Sequence, residues 1–154
     1  MKLFKLFLIL MVTGIHSFAQ DNAFTRFDND DYSITYPKSW TTSADGGVRS
    51  FYIRQDLGDI TISVFKNTDL AVADIKDAKR SINPDSTVTG NINMVINNGV
   101  EEYSYEFTSK GVRWIARGFK KKMDFYFITL NWKLADWDEY KEIFLKTFDS
   151  FKIK

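Results

Sequence analysis

Two glutamates of this 154-residue chain, Glu102 and Glu106, are the first candidates for a catalytic pair of carboxylates. They are four positions apart in a stretch of alternating polar and aromatic residues, which is the pattern of a β-strand, so both lie on one face. Four strand residues span about 13 Å, whereas paired glycosidase carboxylates lie roughly 5–9.5 Å apart. We therefore predict cross-strand ion pairs, Glu106 with Arg113 and Glu102 with Arg117, instead of a catalytic pair.

An acidic run, Asp28-Asn29-Asp30-Asp31, offers oxygen ligands of the kind that calcium prefers. An EF-hand loop starting at Asp28 needs glycine at its sixth position and glutamate at its twelfth. Ser33 and Ser39 occupy those positions. The run therefore predicts a solvated acidic turn, and only an irregular cation site stays open as an alternative.

A basic run, Lys120-Lys121-Lys122, occupies a predicted turn close to Arg113 and Arg117. These side chains could form an anion-binding edge that contacts a partner. Lysines at a turn also keep a sheet edge soluble and discourage edge-to-edge pairing. Both interpretations remain open from the residues alone.

Two tryptophans are the aromatic residues that the strand pattern constrains least. Trp40 follows a predicted strand, and Trp132 stands at the end of another. Each indole could rim a ligand groove or a partner surface, because such surfaces are enriched in tryptophan. The alternative is that each ring lies at a partly buried edge of the core.

The N-terminal residues have the pattern of a secretory signal peptide. Lys2 and Lys5 precede a short apolar core at residues 6–12, and Ser17-Phe18-Ala19 gives the small-x-small pattern of a cleavage site. We predict residues 1–19 as the signal and a cut after Ala19, which places the protein in the periplasm or outside the cell. The apolar core is shorter than the ~20 residues of a membrane span, so we expect no stable membrane insertion after cleavage.

Removing nineteen residues from 154 leaves 135, a length that fits a single domain at residues 20–154. The chain has no cysteine, and its single histidine, His16, lies in the predicted signal. The processed chain would therefore lack Ser-His and Cys-His nucleophilic pairs and the usual ligands of zinc, haem and copper. We expect no cofactor and no catalytic residue.

With 19 basic and 20 acidic residues after the cut, we expect no nucleic-acid partner.

The elements that position these residues are strands, a helix, more strands and a final helix. Alternation at residues 32–36 predicts a strand ended by Pro37, and Asp45-Gly46-Gly47 predicts a turn. A helix begins near Thr68 or Asp69 and ends before Pro84, with its apolar face formed by Val72, Ile75, Ala78 and Ile82.

The final helix carries the clearest periodicity in the chain. Asp136 and Glu139 resemble a capping box at its start. One apolar stripe then repeats at steps of three and four, made of Trp137, Tyr140, Phe144, Phe148 and Phe151. We expect this stripe to pack on the sheet, with Phe151 just beyond the helix end.

The strands between the helices can be aligned by their turns. Asn98-Gly99 favours a two-residue hairpin, which pairs Met94 with Tyr103 and Ile92 with Tyr105. A longer loop around Ser109-Lys110 would pair Tyr105 with Trp114 and Phe107 with Val112, apolar against apolar.

The last strand, at residues 123–132, is apolar on both faces and needs cover on both sides.

The order of these pieces resembles the Mog1/PsbP-like superfamily, including exported bacterial PsbP-like and DcrB-like proteins. The pieces, spread over residues 24–153, are Tyr32-x-Ile34-x-Tyr36-Pro37-x-x-Trp40, Gly99 through Phe107, Phe125-Tyr126-Phe127-Ile128-Thr129 and Phe144-x-x-x-Phe148-x-Ser150-Phe151. The resemblance implies an α+β fold, an α/β/α sandwich around a largely antiparallel sheet, and roles in binding and assembly without catalytic residues. The segment at residues 120–124 lacks the glycine often found before the aromatic strand.

Three functions follow as expectations. The first is an exported, non-enzymatic module that contacts a protein or cell-envelope partner. The second is a carrier of a small apolar or aromatic ligand between the sheet and the final helix. The third is a hydrolase built on carboxylates alone, which needs two close carboxylates in one cleft. The sequence does not determine the oligomeric state.

Overall fold

The computed structural model describes residues 23–54, 57–68 and 87–154 of the chain. In chain order the strands are β1 (Phe24–Asp28), β2 (Tyr32–Pro37), β3 (Thr41–Asp45), β4 (Val48–Tyr52), β5 (Gly58–Phe65), β6 (Thr87–Asn97), β7 (Val100–Ser109), β8 (Val112–Lys121), β9 (Asp124–Lys133) and β10 (Lys152–Ile153). A helix, α1 (Trp137–Asp149), precedes β10 and follows a 3-10 turn at Leu134–Asp136. The predicted signal at residues 1–19 and most of the predicted helix that begins near Thr68 lie outside the described residues.

The strands form two sheets in which every described pair is antiparallel. A small sheet has the order β1-β2-β10, and a large sheet has the order β3-β4-β5-β9-β8-β7-β6. The prediction of an α+β chain with a largely antiparallel sheet is confirmed. Within the described residues one α-helix accompanies these sheets, so the second helical layer of the predicted sandwich is not part of what the structure describes.

Helix α1 begins where the sequence predicts but is capped differently. Asp136 is the N-cap residue, yet its side chain makes no capping hydrogen bond. The 3-10 turn holds Asp136 at φ −103° and ψ 5°, outside the extended conformation that a capping side chain normally needs. The predicted capping box is therefore wrong, although the start of the helix is right. Phe151 lies beyond the helix end, as expected.

Hairpin registers show which turn predictions succeed. At Asn98-Gly99 both residues have positive φ, 50° and 77°, and Met94 pairs with Tyr103 as predicted. The expected partnership of Ile92 with Tyr105 is wrong, because the register shifts between Asn93 and Thr89.

The register between β7 and β8 differs from the prediction by two residues. Lys110 and Gly111, at φ 48° and 76°, form the two-residue turn themselves, so Phe107 pairs with Trp114 instead of Val112. Tyr105 correspondingly pairs with Ala116. An even shift leaves every side chain on its predicted face, which is why the apolar pattern did not reveal the error.

The large sheet is buried on both faces, and β9 contributes to both. On the first face the sheet packs against α1 and β2 through one cluster that includes Ile62, Ile128 and Phe148. On the second face lies a separate cluster of Tyr103, Tyr105, Phe107, Ala116 and Phe125. Phe125 and its neighbour Tyr126 point to opposite faces and are 4% and 3% exposed. The expectation that this strand is buried on both sides is confirmed.

Candidate functional site

The two candidate tryptophans lie in the core and leave little surface for a ligand. Trp40 is 5% exposed and its ring lies 4.8 Å from that of Phe144. Trp132 is 2% exposed and stacks on Trp137 at 3.5 Å between ring centroids. The alternative interpretation, a core position, describes both. The same rings and Phe144, 1% exposed, fill the space between sheet and helix where a carried ligand was expected.

Arg113 and Arg117 join β8 to neighbouring elements on the first face of the sheet. The guanidinium of Arg113 is 2.6 Å from a Glu106 carboxylate oxygen and 4.9 Å from the Trp137 ring. Arg117 pairs with Asp149 at 2.7 Å and lies 4.8 Å from the Phe148 ring. Both arginines therefore contact α1.

The predicted pairing of glutamates with these arginines is half correct. Glu106 and Arg113 form an ion pair at 2.6 Å, although Glu106 lies opposite Ile115 and the contact is diagonal. The pairing of Glu102 with Arg117 is wrong: Glu102 lies opposite Phe119, and Arg117 pairs with Asp149 at the end of α1 instead.

The three lysines do not gather into one basic patch. Strand β8 runs through Lys121, so the turn consists of Lys122, at φ 58°, and Met123. Successive strand residues point to opposite faces, so Lys121 shares the face of Arg117 while Lys120 faces the other way. The Lys121 ammonium donates to the backbone oxygen of Lys154 at 2.6 Å. The single anion-binding edge that the sequence suggested is thus divided between two faces and a turn.

The acidic turn between β1 and β2 is held by its own hydrogen bonds and by neighbouring cations. The side-chain oxygen of Asn29 accepts from the N–H groups of Asp31 and Tyr32 at 3.0 and 2.9 Å. Asp28 pairs with Arg26 at 2.9 Å and with Lys154. The hydrogen bond from Lys154 is the main reason that the pKa of Asp28 lies below its ordinary value. Within residues 23–54, 57–68 and 87–154, no three side chains converge as metal ligands.

Lys66 links this turn to the hairpin of β8 and β9. Its ammonium pairs with Asp31, donates to Asp124 at 3.0 Å and donates to the Tyr126 hydroxyl at 3.2 Å. Hydrogen bonds to Asp31 and then Asp124 raise the pKa of Lys66. The reciprocal bond from Lys66 lowers the pKa of Asp124. Asp124 is therefore ionised at neutral pH, and both carboxylates hold the fold through Lys66.

Three hollows lie on the described surface. One, about 520 Å³, is lined by Arg26, Ser33, Thr35, Lys146, Asp149, Ser150 and Lys152. A second, about 240 Å³, is lined by Ser43, Ser50, Tyr52 and Asp59. Burial raises the pKa of Asp59 against the opposing hydrogen bonds from Asn131 and Thr61. Each of these two hollows is lined by one carboxylate. The third, about 340 Å³ between the β1–β2 turn and the β3–β4 turn, has two carboxylates in its lining, Asp31 and Asp45, and Asp31 is paired with Lys66.

Among the described residues the most exposed large apolar side chains are on β6. Met94, Val95 and Ile96 are 56%, 60% and 66% exposed, and among the described strands β6 has a neighbour on one side only. Strand β6 also carries no charged residue along its whole length, Thr87–Asn97. The sequence indicated a strand here but not its exposure, and the uncharged run was the only signal that could have marked this edge.

The antiparallel sheet order and its helix define the fold class of this chain: it has the PsbP-like fold, so the resemblance stated from the sequence is confirmed at the level of the fold. The structure is similar to the solution structure of cyanobacterial PsbP from Synechocystis, at TM-score 0.65 and 17% identity, covering 86% of this chain and 94% of that one. It is also similar to LpqN of Mycobacterium tuberculosis, described as involved in cell envelope biogenesis, at TM-score 0.50 and 9% identity, covering 91% and 96%.

No protein-family model and no curated protein sequence matches the chain. At these identities the similarity to solved structures concerns the fold. In the part of the chain that the structure describes, no helix has the length and apolar character needed to cross a bilayer.

Proposed function

We propose that this protein is an exported, non-enzymatic binding or assembly module that acts by contact with a protein or cell-envelope partner. The observation that carries this proposal is the exposed apolar edge of β6, Asn93–Asn97, where three consecutive apolar side chains are each more than half exposed. Exposed apolar strand edges bind other chains, because unpaired backbone groups and apolar side chains are offered together.

The other edge of the large sheet supports the choice of β6. Strand β3 has five residues, all exposed, and its sequence Thr-Thr-Ser-Ala-Asp is polar and ends in a charge. Short, polar and charged edges resist the addition of another strand. Strand β6, with eleven residues and no charge, is neither short nor charged. A partner is therefore expected at β6 and not at β3.

The carboxylates support a role without catalysis. Asp28, Asp31, Glu106, Asp124 and Asp149 are each paired with a cation. For Asp28 and Asp124 the ion pair also lowers the pKa, and a carboxylate with a lowered pKa is a poor general acid near neutrality. The predicted signal peptide and the cell-envelope role described for LpqN favour a place of action outside the cytoplasm.

Photocrosslinking in living bacteria tests the contact. A photoreactive residue replaces Ile96 on β6 in the chain expressed with its own N-terminus, and the matched control carries it at Ser43 on β3. We expect an adduct of defined mass from position 96 only. Equal adducts from both edges, or none from position 96, would contradict the proposal.

Export is tested on the same samples. We expect the protein in the extracytoplasmic fraction with Gln20 as its first residue, because the small-x-small pattern directs cleavage after Ala19. An intact Met1 in the cytoplasmic fraction would refute export and leave the photocrosslinking result to be judged on its own.

A further inference from the structure

We propose that the partner at the β6 edge is a second copy of this chain, paired antiparallel about a two-fold axis at Val95. This inference rests on the proposed function, because it assigns an occupant to the same edge. It is argued from the backbone groups that β6 directs away from β7, where no described strand pairs with it, from the symmetry of its sequence and from the position of nearby charges.

The hairpin fixes which backbone groups of β6 are free. Asn97 and Val100 flank the two-residue turn and pair with each other, so they exchange hydrogen bonds. In an antiparallel ladder such pairs alternate along the strand. Asn93, Val95 and Asn97 therefore direct their N–H and C=O groups toward β7, while Met94 and Ile96 direct theirs outward to the free edge.

The sequence of this edge is symmetric about Val95. Asn93-Met94-Val95-Ile96-Asn97 has asparagine at both ends, an apolar residue at each intervening position and valine at the centre. Two copies centred on Val95 set Met94 opposite Ile96 of the second copy and Asn93 opposite Asn97. The outward N–H and C=O groups of Met94 then pair with those of Ile96 in the second copy, and the reverse. A two-fold interface requires this reciprocal pairing.

The charges near the edge permit this pairing. Glu102 on β7 lies opposite Val95, so the two Glu102 side chains of a dimer are separated by three strand spacings, about 14 Å at ~4.8 Å each. That exceeds the screening length of about 8 Å at physiological salt. Repulsion between them is therefore weak, and β6 itself adds no charge.

The pair extends over about five residues a side before the turn ends it, and such an interface is smaller than the roughly 1,200 Å² of stable complexes. We expect a reversible dimer whose population rises with protein concentration. Joined through β6, the two large sheets form one continuous sheet.

A single introduced cysteine tests the register, because the chain has no native thiol. Val95 faces its own copy in a pair without hydrogen bonds, where Cα atoms are about 4.5 Å apart and a disulfide can close. Met94 and its copy are offset along the strands, roughly 8 Å apart, beyond the ~7 Å limit for a bridge. We expect Val95→Cys to give disulfide-linked dimer under mild oxidation at a rate at least tenfold above Met94→Cys, Ile96→Cys and the β3 control Ser43→Cys.

Sedimentation velocity supplies a second measurement without cysteine. The wild-type mass should rise toward that of a dimer with concentration, while Val95→Lys, which sets two ammonium groups face to face at the axis, should stay monomeric. Far-UV circular dichroism and urea unfolding check that Val95→Lys remains folded. Equal crosslinking from all the cysteines, or a wild-type monomer at every concentration together with an unlinked Val95→Cys, overturns the inference.

The photocrosslink at position 96 separates this inference from the function on which it rests. An adduct with the mass of two copies supports both. An adduct of another mass leaves the proposed function standing and refutes the second copy as occupant. If position 96 gives no adduct at all, both the proposed function and the second copy as occupant are refuted.

Discussion

Arg117 lies between a carboxylate and an aromatic ring, and this position explains why a residue proposed as a partner contact serves the fold. Its guanidinium pairs with Asp149 at 2.7 Å while lying 4.8 Å from the Phe148 ring. Asp149 is the last residue of α1, so the contact fixes the end of the helix on β8. A partner that used Arg117 would have to displace Asp149.

Replacing Arg117 with alanine tests this structural role. The ion pair is about half exposed, at 40% and 56% for the two side chains, so it is worth ~0.2–1 kcal/mol, and the cation–π contact adds ~0.5–1 kcal/mol. We expect urea unfolding to show a loss of about 1 kcal/mol.

Lys152→Ala is the control for Arg117→Ala. Lys152 has no ion-pair partner among the described residues, so its removal should change the free energy of unfolding by no more than ~0.5 kcal/mol. If Arg117→Ala were as stable as the wild type, the arginine would be free to serve as a binding residue after all.

At the scale of the element, β5 and β9 leave no room for a side chain at Gly58. Its φ is +154°, and a Cβ built there would overlap the carbonyl oxygen of Asn131 and lie 2.7 Å from the Cα of Trp132. The pairing of β5 with β9 begins at this residue. A side chain here would push β5 away from β9, the central strand of the large sheet.

Gly58→Ala should therefore cost about 2–4 kcal/mol in the free energy of unfolding, from overlap and backbone strain together. Gly46→Ala is the matched control, since Gly46 also has positive φ, +52°, but nothing lies within 4 Å of its Cβ position. The control should cost only about 1 kcal/mol. Equal losses in urea unfolding would mean that conformation alone, and not the close approach, requires glycine at position 58.

The elements also show how far local sequence determines this fold. Asn98-Gly99 predicts its hairpin because both residues tolerate positive φ, and the pairing of Met94 with Tyr103 follows. Lys110-Gly111 makes the same kind of turn, but lysine is a weak signal for positive φ. The predicted and observed registers of β7 and β8 differ by two residues, so both keep every side chain on the same face of the sheet. The hydrophobic pattern fits the two registers equally and could not distinguish them.

The candidate site was less predictable than the strands. Ile92, Met94 and Ile96 alternate as a core-facing strand would, yet Met94 and Ile96 are more than half exposed. Exposure here depends on β6 being the last described strand of the sheet. Strand order is a property of the whole chain, so apart from the absence of charged residues no local pattern could mark β6 as the proposed contact surface.

At the scale of the whole molecule, β9 contributes buried residues to both cores. Ile62 on β5 packs in the first cluster and Phe107 on β7 packs in the second, and both strands reach β9 within two ladder steps. Because β9 contributes Ile128 to one face and Phe125 to the other, neither core can unfold while β9 remains buried on both sides. The two cores should therefore unfold as one cooperative unit.

Conservative truncations on each face test this coupling. Ile62→Val and Phe107→Leu should each cost about 1 kcal/mol and lower the midpoint of the same thermal transition by about 3–5 °C. Near-UV circular dichroism follows the aromatic packing and far-UV circular dichroism follows the strands, and in both variants the two curves should coincide. A second transition in Phe107→Leu, with the first unmoved, would show that the two faces of the sheet unfold independently.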